Sequence, residues 1–124
     1  DGTRHVVDSI LQAIKPGVTS SELCAVGENA ITEIDFGKYR RPLSNAVGNE
    51  GGIYVGHAIG FSVHEYPTIQ PGDTTPWLPG MCGAIEIPFG DDEIGYLQWE
   101  DNFLVTESGV EVLSKSPKQV WLTG

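Results

Sequence analysis

Gly56-His57-Ala58-Ile59-Gly60-Phe61-Ser62-Val63-His64-Glu65-Tyr66-Pro67 is the stretch on which the reading of this chain turns. It holds two histidines seven residues apart, among glycines, β-branched residues and a proline. On one flat strand an odd spacing sends the two rings to opposite faces. They share a site only if the chain bends, and Gly60 permits a bulge or kink. Two later carboxylates extend the pattern: Glu86 in Gly83-Ala84-Ile85-Glu86-Ile87-Pro88, and Glu100 in Trp99-Glu100-Asp101-Asn102. A His57/Glu86/Glu100 set is ordinary coordination chemistry for zinc, manganese, iron or cobalt. Glu86 lies between apolar residues, and a carboxylate there is costly to bury unless a cation or several donors meet it. The rival readings are bland ones: a solvent-facing position on a half-buried strand for Glu86, and a surface place at a strand entry for Glu100. His5 has no partner in view and reads as structural.

Upstream of this stretch the chain is helical. Val7, Ile10, Leu11 and Ile14 recur at three- and four-residue steps and predict a helix over His5–Ile14. Lys15-Pro16-Gly17 stops it. Thr19-Ser20-Ser21-Glu22 then offers a capping box for a second helix with Leu23, Val26, Ala30 and Ile34 inside and Gly37 as its stop. The two helices are expected to pair antiparallel. Residues 37–52, with Arg40-Arg41-Pro42 and then Asn45, Gly48, Asn49, Gly51 and Gly52, predict a long loop. Downstream the pattern turns to strands: Phe61–His64, Cys82–Ile87, Tyr96–Gln98, Asn102–Thr106 and Val110–Leu113. A proline-rich connector is expected over Pro67–Pro79. Helices first and strands after predict an α+β fold.

The bulk numbers narrow the function classes. A chain of 124 residues with 40% hydrophobic content suits one domain, or part of one, with a real core. A formal net charge of −10 argues against a nucleic-acid surface and against anionic membrane. It suits a site for cations. No run is long and apolar enough to span a bilayer. Cys24 and Cys82 match no zinc or redox spacing and read as reduced, largely buried thiols of a cytoplasmic protein. The opening Asp1-Gly2-Thr3-Arg4 has no initiator Met, which suggests a fragment or a processed form.

The order of motifs says more than any one of them. Gly56-His57-x-Ile59-Gly60-x-x-Val63-His64-Glu65-x-Pro67, then Leu78-Pro79-Gly80-Met81 leading to Ile85-Glu86, then Glu100-Asp101-Asn102-x-Leu104-Val105-Thr106-Glu107-x-Gly109 closely resemble the pita-bread metallopeptidases. That family includes methionine aminopeptidase, aminopeptidase P and prolidase. Lys15-Pro16-Gly17-Val18-Thr19 is similar to it as well, and the likeness runs over roughly residues 5 to 115. The short step from Glu86 to Glu100 looks more like the prolidase and Xaa-Pro aminopeptidase branch.

The resemblance implies a partial pita-bread fold, two helices followed by a curved antiparallel sheet, with residues 1–124 the C-terminal portion of one catalytic domain. It implies that His57, Glu86 and Glu100 hold metal, with Glu86 also moving the proton and Glu100 bridging two ions (Mn, Co, Zn or Fe). His64 matches a non-ligand histidine that contacts substrate beside the scissile amide. The implied activity is exopeptidase cleavage after the N-terminal residue of a small peptide, including Xaa-Pro bonds. The family's two further ligands are aspartates ten residues apart upstream of the first helix. With three ligands of five, the chain alone is expected to bind metal weakly, turn over little, and pair with another copy or with the missing half. Asp1 echoes the second aspartate. Ile53 stands where prolidase-like members carry another histidine, Gln98 where they carry arginine, and Ile87 where a proline follows the glutamate. These departures suit a second reading, a non-catalytic module of the same fold that binds peptide or protein. A metal-free creatinase-like hydrolase is a third reading, and retention of Glu86 and Glu100 speaks against it.

Overall fold

The computed structural model describes residues 2–35, 54–91, 93 and 95–119. The predicted loop over 37–52, Gly37 as a helix stop, Ile53 and Asp1 lie outside the described residues. Two helices, α1 (Gly2–Ala13) and α2 (Ser20–Thr32), precede five strands: β1 (Gly56–Ile59), β2 (Glu65–Ile69), β3 (Cys82–Asp91), β4 (Gly95–Thr106) and β5 (Gly109–Val112). The strands form one sheet in the order β2-β1-β3-β4-β5, and every pairing is antiparallel. The α+β expectation holds.

The helices form where local signals demand them. Thr19 caps α2: its hydroxyl accepts from the Glu22 amide at 3.3 Å, and the Glu22 carboxylate accepts from the Thr19 amide at 2.8 Å. That reciprocal pair satisfies two amides the first turn would leave open. Val6, Val7, Ile10 and Leu11 of α1 and Leu23 of α2 share one core with Val55, Ile69, Ile85, Ile87, Phe103 and Val105 of the sheet side. α2 ends at Thr32, so Ile34 packs beside the core from beyond the helix. His5 Nε2 meets Glu33 Oε2 at 3.3 Å on the surface, tying the start of α1 to the end of α2.

Three strand expectations need correction. Phe61–His64 is a bend between β1 and β2, not a strand. Its alternation has a strand's period, but Gly60 donates its amide to Ser62 O and the Glu65 carboxylate accepts from the Ser62 amide at 2.7 Å, which folds the segment back on itself. Tyr96–Gln98 and Asn102–Thr106 belong to one strand that runs through Trp99-Glu100-Asp101. The buried Asp101 is tolerated there because Lys118 Nζ meets its carboxylate at 2.6 Å. Pro67 lies inside β2, after a cis Tyr66–Pro67 bond, so the connector is shorter than expected. The rest of that connector is anchored by Trp77, which is fully buried. Its indole donates to Ser20 Oγ at 3.1 Å, its ring meets Phe103 at 5.1 Å, and its backbone exchanges hydrogen bonds with Gly17 and Val18.

Alternation along the strands separates two faces. Ile85, Ile87, Phe103 and Val105 point to the helices, and Ala84, Glu86, Glu100 and Asn102 point away. Gly56 lets β1 lie close on β3: a Cβ there would sit 2.2 Å from Ala84 O.

Candidate metal centre

The face away from the helices gathers the titratable residues. His57 reaches it from β1, opposite Ala84 of β3, and Glu86 stands two residues further along β3. A register irregularity between His57 and Ala58, where the β1 partner jumps from Thr68 to Glu65, lets the bend carry His64 back over His57. The two imidazole centroids are 4.2 Å apart, tilted by 43°. The odd spacing is thus resolved by a hairpin bend rather than by a kink within one strand.

Glu86 is the hub. Its Oε1 lies 2.9 Å from His57 Nε2 and 3.8 Å from His64 Nε2. Tyr54 donates its hydroxyl to the same oxygen at 3.2 Å, and Gln98 Nε2 donates to Oε2. The His57 side chain is 3% exposed, Glu86 14% and His64 59%, so the cluster runs from the interior to solvent. Burial first, then the charge of Glu86, the bond to it, and the charge of Glu100 push the Tyr54 phenol well above its ordinary range. It stays protonated and acts as a donor. Its ring lies nearly parallel to that of His57, 12° apart at 6.1 Å.

The donor set fits a cation. His57 Nδ1 lies 2.9 Å from Ala58 O. A carbonyl only accepts, so Nδ1 donates to it, which leaves Nε2 as the ring nitrogen available to a ligand. Nε2 faces a carboxylate oxygen at 2.9 Å. One ligand atom from each of His57, His64 and Glu86 lies within 4.8 Å of the others. Two ligands each about 2.1 Å from one ion stand about 3 to 4 Å apart, so the observed separations fit a shared ion.

Glu100 is exposed and stands directly opposite Glu86 in the β3–β4 register, on the same face. His64 rather than Glu100 joins the converging group among the described residues. Tyr54 was not legible as a site residue. It lies three residues before His57 in a stretch with no periodicity, and only an aromatic beside a glycine-flanked histidine hinted at it. Gln98 stood out as a departure from the prolidase branch, and its amide turns out to hold Glu86.

Helices on one face of an antiparallel sheet and a histidine–carboxylate cluster on the other are the plan of a pita-bread peptidase domain, present here in part. The sequence profile of metallopeptidase family M24 matches residues 1–107. The chain is 30% identical over 110 residues to an Xaa-Pro dipeptidase of Pyrococcus horikoshii, covering 89% of this chain and 28% of that protein. It is 30% identical over 118 residues to an Xaa-Pro dipeptidase of Lactobacillus helveticus, covering 94% and 29%. Among solved structures, the prolidase of P. horikoshii matches with a TM-score of 0.76 at 29% identity over 95% of this chain and 31% of that one. An Xaa-Pro dipeptidase of Bacillus anthracis matches with a TM-score of 0.75 at 31% identity over 96% and 30%. The chain belongs to metallopeptidase family M24, and its likeness is to the prolidase branch. It spans under a third of the length of these relatives. Among the described residues no helix is long and apolar enough to cross a membrane.

Proposed function

We propose that this chain is the C-terminal portion of a dinuclear metal-dependent exopeptidase that cleaves after the N-terminal residue of small peptides, with Xaa-Pro bonds among its substrates. The observation that carries the reading is the meeting of His57, His64 and Glu86 at one point of a prolidase-like sheet. The names of the similar proteins, Xaa-Pro dipeptidases, supply the substrate class. His57 and Glu86 would hold the metal, with Glu100, opposite Glu86, as the bridging carboxylate. Bound divalent ions there supply Lewis acidity, lowering the pKa of a water and polarising the scissile carbonyl.

The chain's own residues do the rest. Tyr54 and Gln98 hold the Glu86 carboxylate by one oxygen each, which fixes its plane. Glu86 takes a proton from the attacking water and returns it to the leaving amine. His64, exposed beside it, donates a hydrogen bond to the carbonyl oxygen as charge develops there. Two free thiols suit a reducing, cytoplasmic setting.

The test is hydrolysis of an Xaa-Pro dipeptide by the intact protein with added Mn²⁺ or Co²⁺. Hydrolysis should stop with a chelator and with Glu86→Gln. Undiminished hydrolysis in the presence of chelator, or none at saturating metal, refutes the reading. The 124 residues alone should turn over far more slowly. A second reading, a peptide- or protein-binding module without catalysis, draws support from Gln98, a neutral amide holding Glu86 where the branch carries arginine. Such a module would purify without stoichiometric cation.

A further inference from the structure

We infer that Glu65 is a positioning residue: its carboxylate clasps the bend of residues 60–64 and so aims the His64 imidazole at the scissile carbonyl. The inference rests on the peptidase reading above, in which His64 donates a hydrogen bond to that carbonyl. Such a donor helps only if it is held where the charge develops. The ring's own contacts hold it weakly. It meets the His57 ring at a tilt, yet it stays 59% exposed, and its Nε2 is 3.8 Å from Glu86 Oε1, beyond hydrogen-bonding reach. The backbone must therefore place it. Packing does not fix that backbone, because all four residues from Phe61 to His64 are exposed.

Among the described residues, two hydrogen bonds tie the bend. The Gly60 amide donates to Ser62 O at 3.2 Å, and the Ser62 amide donates to Glu65 Oε1 at 2.7 Å. The second is shorter, and its acceptor is a carboxylate, the stronger kind of partner. Two features let Glu65 make it. It is the first residue of β2 and pairs with Ala58 of β1, so the sheet fixes its backbone. Gly60 has no Cβ, which leaves room for the carboxylate to lie against it. The clasp thus joins the exposed tip of the bend to an anchored strand. His64 stands between its two ends, Ser62 and Glu65. Without the carboxylate, Val63 and His64 are free to turn, and a displacement of about 1 Å can cost about 100-fold in rate.

The experiment is a double-mutant cycle on the intact protein with an Xaa-Pro dipeptide and saturating Mn²⁺. Glu65→Ala should lower kcat about 10- to 100-fold with KM within about threefold, the mark of an interaction made only in the transition state. Glu65→Gln, whose amide oxygen still accepts from the Ser62 amide, should recover most of that loss. In a His64→Ala background, Glu65→Ala should cost no more than about twofold, since the histidine it aims is gone. An undiminished kcat in Glu65→Ala, or a full further loss in the His64→Ala background, overturns the inference and leaves the peptidase reading standing. A second readout needs no activity. In the metal-free protein, labelled at histidine, the ring protons of His57 and His64 should show a mutual nuclear Overhauser effect, as centroids 4.2 Å apart require. That effect should vanish in Glu65→Ala and persist in Glu65→Gln, with the rest of the spectrum unchanged. Its persistence in Glu65→Ala overturns the inference even if the parent hydrolyses nothing.

Discussion

Gly56 and Gly60 flank His57 and invite the same substitution with different outcomes. A Cβ on Gly56 would lie 2.2 Å from Ala84 O, and one on Gly60 would lie 2.3 Å from a Glu65 carboxylate oxygen. The distances are nearly equal, but the obstacles are not. Ala84 O is backbone of β3, hydrogen-bonded into the sheet, and Ile69 Cδ1 closes the space from another side at 3.1 Å. Ordinary contact begins near 3.4 Å, so β1 and β3 must separate by about 1.2 Å. Overpacking of this kind costs about 1–3 kcal/mol. One broken ladder hydrogen bond adds about 1 kcal/mol. Gly56→Ala should therefore cost about 2–4 kcal/mol, a fall in Tm of about 8–16 °C at about 4 °C per kcal/mol for a chain of this size. At Gly60 the carboxylate can swing aside, giving up its bond to the Ser62 amide, so Gly60→Ala should cost about 1 kcal/mol. Urea unfolding followed by circular dichroism reads both, with the midpoint moving and the slope held. Equal losses in the two variants, or a neutral Gly56→Ala, would show that the close approach of β1 to β3 is not what seats His57.

Three further outcomes follow from the geometry. Thr19→Ala removes one half of the α2 capping box and should cost about 1 kcal/mol in the same urea assay. Hydrogen bonds from Thr19 hold the Glu22 carboxyl below its ordinary value of 4.5. Burial alone would raise Asp73, yet hydrogen bonds from Thr75 and Thr68 hold it below 3.8. Both groups are depressed in the folded state, so their stabilisation is whole above those values and is lost as pH falls through the folded ones. The urea midpoint should drop between pH 6 and pH 3, and less so in a Glu22→Gln/Asp73→Asn variant. Burial first, and then the charge of Glu28, raise the Cys24 thiol to about 12. Native protein at pH 8 should leave Cys24 unalkylated by iodoacetamide over an hour, whereas urea-unfolded protein should be labelled there.

Much of this was legible in the chain because the signals were local. Thr19 and Glu22 mark a helix start by chemistry that needs nothing distant. Ile85, Glu86 and Ile87 show a strand whose charged residue must face away from the core. What escaped depended on contacts between distant segments. Phe61–His64 carries a strand's alternation, and its fate is set by Gly60 and by the Glu65 carboxylate folding back to Ser62. Glu100-Asp101 reads as a break between strands until Lys118, seventeen residues on, is seen to neutralise Asp101. Tyr54 becomes a site residue only because β1 lies beside β3, and no pattern in its own neighbourhood carries that information. His57, Glu86 and Glu100, the proposed metal ligands, stood out from motif order. The inward turn of His64 onto Glu86 did not, since it arises from the register irregularity between His57 and Ala58.

The most direct measurement of the central claim is anomalous diffraction at the manganese edge from crystals of this chain soaked in MnCl₂. The account predicts one strong peak within about 2.0–2.3 Å of both His57 Nε2 and Glu86 Oε1. A fully loaded soak that leaves that position empty, or puts the ion on the outer carboxylates alone, would contradict it.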